Sequence, residues 1–102
     1  MKKDFSHITH MENIMTRQET NIEKLGSILK ELDGCQKDYE ALSAYYYSEQ
    51  RERDLEDEEN HRIPNDLKRG VLSEDEVYNL FLDTHDAALH MIETALRFLK
   101  TI

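Results

Sequence analysis

The chain has one cysteine, one proline, three glycines and no tryptophan among its 102 residues. Each shortage excludes something. A single cysteine, Cys35, cannot close an intrachain disulfide or build a Cys-rich zinc site. Glycine and proline are too scarce for a turn-rich β fold or for most Gly-rich phosphate loops. No run approaches the ~18 apolar residues of a membrane span. The start, MKKDFSHITHMENIM, lacks the apolar stretch of a signal peptide. Cations are also in deficit, with 13 Lys and Arg against 22 Asp and Glu for a formal charge of −9. That balance argues against nucleic acid, whose phosphates need Lys and Arg, and against an anionic membrane surface. One cysteine and no export signal lead to the expectation of a cytoplasmic protein.

Only 24 of the 102 residues are Leu, Ile, Val or Phe, a little above the roughly 20 % below which a highly charged chain is usually disordered. Their arrangement decides in favour of folding. Ile8, Met11, Met15, Gln18, Ile22, Leu25, Leu29 and Leu32 follow one another at alternating spacings of three and four. That is a heptad seam, which a strand cannot produce. Ile14 and Ile28 widen it, as on the inner face of a bundle helix. The spacing predicts a first helix over about 3–33. Gly34 then reads as a helix end, because glycine enters the left-handed region without a Cβ clash. The competing expectation is a helix that runs on, since Cys35, Tyr39, Leu42 and Tyr46 keep a similar spacing.

A second helix is expected over about 35–58, becoming polar as it proceeds. Its end, Glu49 to Glu59, holds seven acids, Glu49, Glu52, Asp54, Glu56, Asp57, Glu58 and Glu59, with Arg51 and Arg53. Acids at a helix C-terminus oppose the macrodipole, so fraying is expected there. Residues 59–72 form a connection. Pro64 disfavours helix at the residue before it, and residues 65–70 look like one short helical turn with Gly70 just beyond. Ser73 and Glu76 have the spacing of a capping box and open a third helix over about 74–100. Its stripe is Val77, Phe81, Thr84, Ala88, Met91, Ala95 and Phe98. The expected fold is all-α, a three-helix antiparallel bundle forming one domain over 1–102.

Sites for chemistry are harder to find. Asp4, His7 and His10 fall on one helical face, Glu58 and His61 have E-x-x-H spacing, and Asp86 and His90 lie four apart. A di-iron bundle needs two such E-x-x-H pairs and two further core-facing glutamates, which are missing. These residues are expected at the surface, with no metal and no cofactor. Cys35 lies at a possible helix start but has no signature around it, and an inert core cysteine is the simpler expectation. Tyr45, Tyr46 and Tyr47 are consecutive, so a helix cannot bury all three on one face. At least one ring should lie partly exposed, where tyrosine suits an interface. Lys68 and Arg69 stand alone as cations beside the acidic run, suited to pairing with it or to contacting a partner.

The central stretch, YYYSEQRERDLEDEENHRIPNDLKRGVLSEDEVYNLF, resembles the domain-of-unknown-function family DUF4298. The resemblance rests on Tyr45, Tyr46, Ser48 and Asp54, then Pro64, then Asp66 through Asp75. Where this chain has Arg51, family members often carry Trp. The resemblance implies a small helical bacterial protein and assigns no activity. It also places the family signature in the connection and the tyrosine end of the second helix, segments more often tied to function than a core face is.

Taken together, these features lead to the expectation of a non-enzymatic protein–protein interaction module that binds an unidentified protein or forms a homodimer. The candidate contact residues are Tyr45, Tyr46, Asp54, Lys68 and Arg69. Gly34, Pro64, Gly70, Ser73 and Glu76 are assigned backbone roles. Two alternatives are an acidic decoy, antitoxin-like, that masks a basic surface, and a metal-binding protein built on His7 and His10.

Overall fold

The structure, a computed structural model, describes residues 2–101. Among these the fold is all-α, with four α-helices, one 3-10 turn and no strand. The backbone divides into two units, residues 1–41 and 42–102.

In the first unit, α1 runs from Ser6 to Gly34, about 43 Å at 1.5 Å per residue. The Asp4 carboxylate accepts the Ser6 N–H at 2.9 Å, just ahead of its first turn. This bond holds the Asp4 carboxyl below its ordinary value. The heptad seam lies along α1 as expected, and no residue of the helix is buried. Gly34 does not take the left-handed conformation expected of a helix end, because no glycine has a positive φ. It stays within α1, and the interruption falls at Cys35 instead. The Cys35 N–H still donates to the Glu31 and Leu32 carbonyls, and the Cys35 carbonyl accepts from Tyr39. The backbone therefore passes into α2, Gln36–Tyr46, with its hydrogen bonding maintained. Cys35 is exposed, which corrects the expectation of a core thiol.

The second unit begins within α2. The expected helix over 35–58 is broken at Tyr47 and Ser48, and α3 restarts at Glu49–Glu59. Ser48 supplies the physical reason. Its extended backbone (φ −91°, ψ 158°) leaves the helix, and its hydroxyl accepts the Arg51 N–H, the usual role of an N-cap serine. The same hydroxyl donates to the Tyr45 carbonyl at 2.6 Å, so it serves both helix ends.

The acidic end of α3 is closed, where fraying was expected. His61 has a φ of 56°, its N–H donates to the Glu58 carbonyl, and the Arg62 N–H donates to the Asp57 carbonyl. This pair of bonds is a Schellman motif with His61 in the position usually held by glycine. The Asn60 side chain adds a bond to the Glu56 carbonyl at 3.0 Å. The His61 backbone thus ends the helix, and Glu58 is occupied by Arg69.

The helical turn expected over 65–70 is displaced. Leu67 N–H closes a single turn onto the Pro64 carbonyl, and the 3-10 turn, which we call η1, covers Gly70–Leu72. Gly70 thus starts the turn and does not follow it. The Glu76 carboxylate crowds Gly70, with an oxygen only 2.6 Å from where a Cβ would lie. Next, α4 runs from Glu76 to Leu99. Ser73 lies outside it, and its hydroxyl accepts from the Asp75 and Glu76 N–H groups. The reciprocal half of the capping box is not formed, because the Ser73 N–H donates to the Gly70 carbonyl. Contacts of η1 reach both α3 and α4. Val77, in the first turn of α4, is 5 % exposed and is the only buried residue among those described.

His61 carries the one positive φ among non-glycine residues described, so His61→Gly should remove a left-handed penalty of about 1 kcal/mol. Chemical denaturation should show a stability gain of that order. A loss would mean that the imidazole contributes contacts exceeding the backbone strain.

Candidate functional site

The partly buried residues of the second unit gather where α2 ends, α3 begins and η1 leads into α4. Tyr46 is the aromatic centre. Its ring meets Phe81 of α4 edge-on at 5.4 Å and Tyr47 edge-on at 4.9 Å. The Arg51 guanidinium lies 4.5 Å over the Tyr46 ring, a cation–π arrangement. Arg51 also donates to the Val71 carbonyl at 3.0 Å and to the Ser73 carbonyl at 3.1 Å. One side chain therefore joins α2, α3 and the approach to α4. The planar, forked guanidinium allows it to stack and donate in two directions. The sequence offered no such role for Arg51.

The expected site residues are divided by the structure. Tyr45 and Asp54 come together, with the phenol donating to the carboxylate at 2.6 Å. Gln50 donates to the other carboxylate oxygen at 2.9 Å. Burial, and then the bond to Asp54 and its charge, push the Tyr45 phenol from 10.0 up to about 12. The bonds from Tyr45 and Gln50 hold the Asp54 carboxyl below its ordinary value. Arg69 pairs with Glu58, one nitrogen lying 2.9 Å from each carboxylate oxygen. It also donates to the Pro64 carbonyl at 2.9 Å. Arg62 pairs with Asp57 at 3.1 Å. Three of the seven acids in the run, Asp54, Asp57 and Glu58, are thus bound to groups of the same unit, and Arg69 takes the pairing alternative of the two expected for it.

Lys68 is different from its neighbour. It is exposed and makes no hydrogen bond or ion pair among the described residues. It lines a cleft of about 400 Å³ whose walls include Tyr45, Asp54, Pro64, Leu67 and Arg69. The exposed ring of the tyrosine triplet is Tyr47, at 75 %. Tyr47, Arg51, Glu58 and Phe81 are the residues that the sequence did not single out at this site. An exposed ring was expected, but helical spacing alone did not say which of the three it was.

Among the described residues, no three His, Cys, Asp or Glu side chains come together to hold a metal ion. No helix there is long and apolar enough to cross a membrane.

The raised Tyr45 and lowered Asp54 values set a pH dependence. A raised phenol stabilises the fold below its unfolded value of 10.0, and that contribution is lost as pH climbs toward about 12. The lowered carboxyl stabilises above its unfolded 3.8, and the contribution is lost as pH falls below it. Alkaline ultraviolet titration should find one tyrosine ionising near 12, absent in Tyr45→Phe. Identical titration curves for the two proteins would contradict the assignment.

Searches of curated proteins and of solved structures each return no match. The pattern of a family described as a domain of unknown function, DUF4298, matches residues 8–94. That span takes in most of α1 and α4 and the tyrosine and arginine contacts between, and the chain belongs to this family.

Proposed function

We infer that this chain is a non-enzymatic protein–protein interaction module, a small acidic helical protein that works by covering apolar helix faces against a partner. One observation carries the reading. The long helices leave their apolar stripes open, from Ile8, Ile22 and Leu32 in α1 to Met91, Ile92 and Leu96 in α4, all close to half exposed. Large apolar residues exposed in a row along a helix mark interaction surfaces in soluble proteins. Their alternating three- and four-residue spacing suits packing in a helical bundle, the geometry expected of the three-helix arrangement. The polar contacts around Arg51 and Arg69 fit a supporting role, because each is satisfied within its own unit.

The acidic-decoy alternative draws less support. Asp54, Asp57 and Glu58, three of the seven acids in the run, are bonded to Tyr45, Arg62 and Arg69. Within the expected contact set, Lys68 is the exposed residue, and outside that set Tyr47 presents an exposed ring.

The test is an affinity pull-down with the full chain, comparing wild type with Lys68→Glu. This substitution leaves the Arg69–Glu58 pair in place. The chain should retrieve itself or a partner, with capture reduced in the variant if the cleft takes part. A monomer that captures nothing under any condition would contradict the reading.

A further inference from the structure

The geometry points to a second copy of this chain as the partner of α1, paired with it in parallel as a two-stranded coiled coil. This rests on the interaction reading above and names the occupant of one of its open faces.

The seam assigns heptad positions. Ile8, Met15, Ile22 and Leu29 take position a, and Met11, Gln18, Leu25 and Leu32 take position d. Ile at a and Leu at d favour two strands, and both appear where the seam is best formed, at Ile22 and Leu25. The nine large apolar residues of α1 are between 39 % and 56 % exposed. Together they offer on the order of 800 Å² per chain, the area that a stable interface takes from each partner.

Charge and polarity choose the direction. The e edge of the seam holds Glu12, Glu19, Gly26 and Asp33, and the g edge holds His7, Ile14, Asn21 and Ile28. Parallel packing sets each e edge against a g edge, so no acid faces an acid and His7 falls beside Glu12. Antiparallel packing sets e against e, which brings Glu12 of one copy to Asp33 of the other. Gln18 makes the same choice. In the parallel pair it faces Gln18 of the second copy, and the two amides can bond to each other. In the antiparallel pair it faces Ile22 and its amide is buried without a partner, which is unfavourable. A single polar residue within such a seam sets register at some cost in stability.

The exposed Cys35 reports the direction without any substitution. In the parallel pair the two thiols lie at the same level, within reach of a bismaleimide spanning about 10 Å, the usual separation of packed helices. In the antiparallel pair they lie about 45 Å apart. Sedimentation of the full chain should give twice the chain mass, and the reagent should convert most of it to a covalent dimer. Ile22→Asp should return the mass to one chain and abolish cross-linking. A monomer at all concentrations overturns the inference, whether α1 is covered by α4 of its own chain or by another protein. If that monomer still captures a partner, the interaction reading stands and only the second copy fails. A dimer that does not cross-link overturns the parallel direction, and a dimer that survives Ile22→Asp overturns the α1 seam.

Discussion

The Arg51 guanidinium joins three elements of the second unit. It stacks on Tyr46 and bonds the Val71 and Ser73 carbonyls. A larger domain would join its helices through a buried apolar core. Here one valine is buried among the described residues, and a charged group joins the Tyr46–Phe81 ring contact in making the connection. The choice is physically coherent for a chain with so few large apolar side chains. A guanidinium satisfies two carbonyls that would otherwise need water, and its face covers an aromatic ring. The Arg69–Glu58 pair and the bond to the Pro64 carbonyl support the same connection from the other side.

Most of the large apolar residues along α1 and α4 are exposed. A helix that buries its stripe against its own chain uses the stripe for folding. On the proposed reading, a stripe that stays exposed serves association. The acidity fits the same division. Asp54, Asp57 and Glu58 act within the second unit, whereas Glu12, Glu19 and Asp33 line one edge of the α1 seam. The net charge is therefore no single feature. Part of it is bonded within the second unit, and part of it lies along the edge of the α1 seam.

Periodicity made the long helices legible, because a three–four spacing over eight positions has no competing explanation. The end of α4 and the start of α1 lay within a few residues of expectation. Helix breaks were less legible. Gly34 carried the stronger break signal, yet nothing in its surroundings required the left-handed conformation. Ser48 was expected inside the second helix and instead ends one, because its hydroxyl serves two backbone partners. At His61 a glycine-type conformation was occupied by a residue that seldom adopts it. The site was half legible. Tyr45, Tyr46, Asp54 and Arg69 were singled out as contacts for a partner, and the structure gives each of them contacts within the second unit, while Lys68 stays open. Arg51 was missed because its partners, the Val71 and Ser73 carbonyls, lie 20 and 22 residues away. Backbone carbonyls leave no mark in a sequence.

On the proposed reading, polar and aromatic contacts hold the middle of the chain and a partner covers the α1 stripe. Hydrogen exchange of the full chain at two protein concentrations tests it directly. Amides of α3, η1 and the first turns of α4 should be protected equally at both. Amides of α1 should gain protection as concentration rises, since its packing depends on association. Protection of α1 that is strong and independent of concentration would contradict the account, because it would mean that the stripe is already covered.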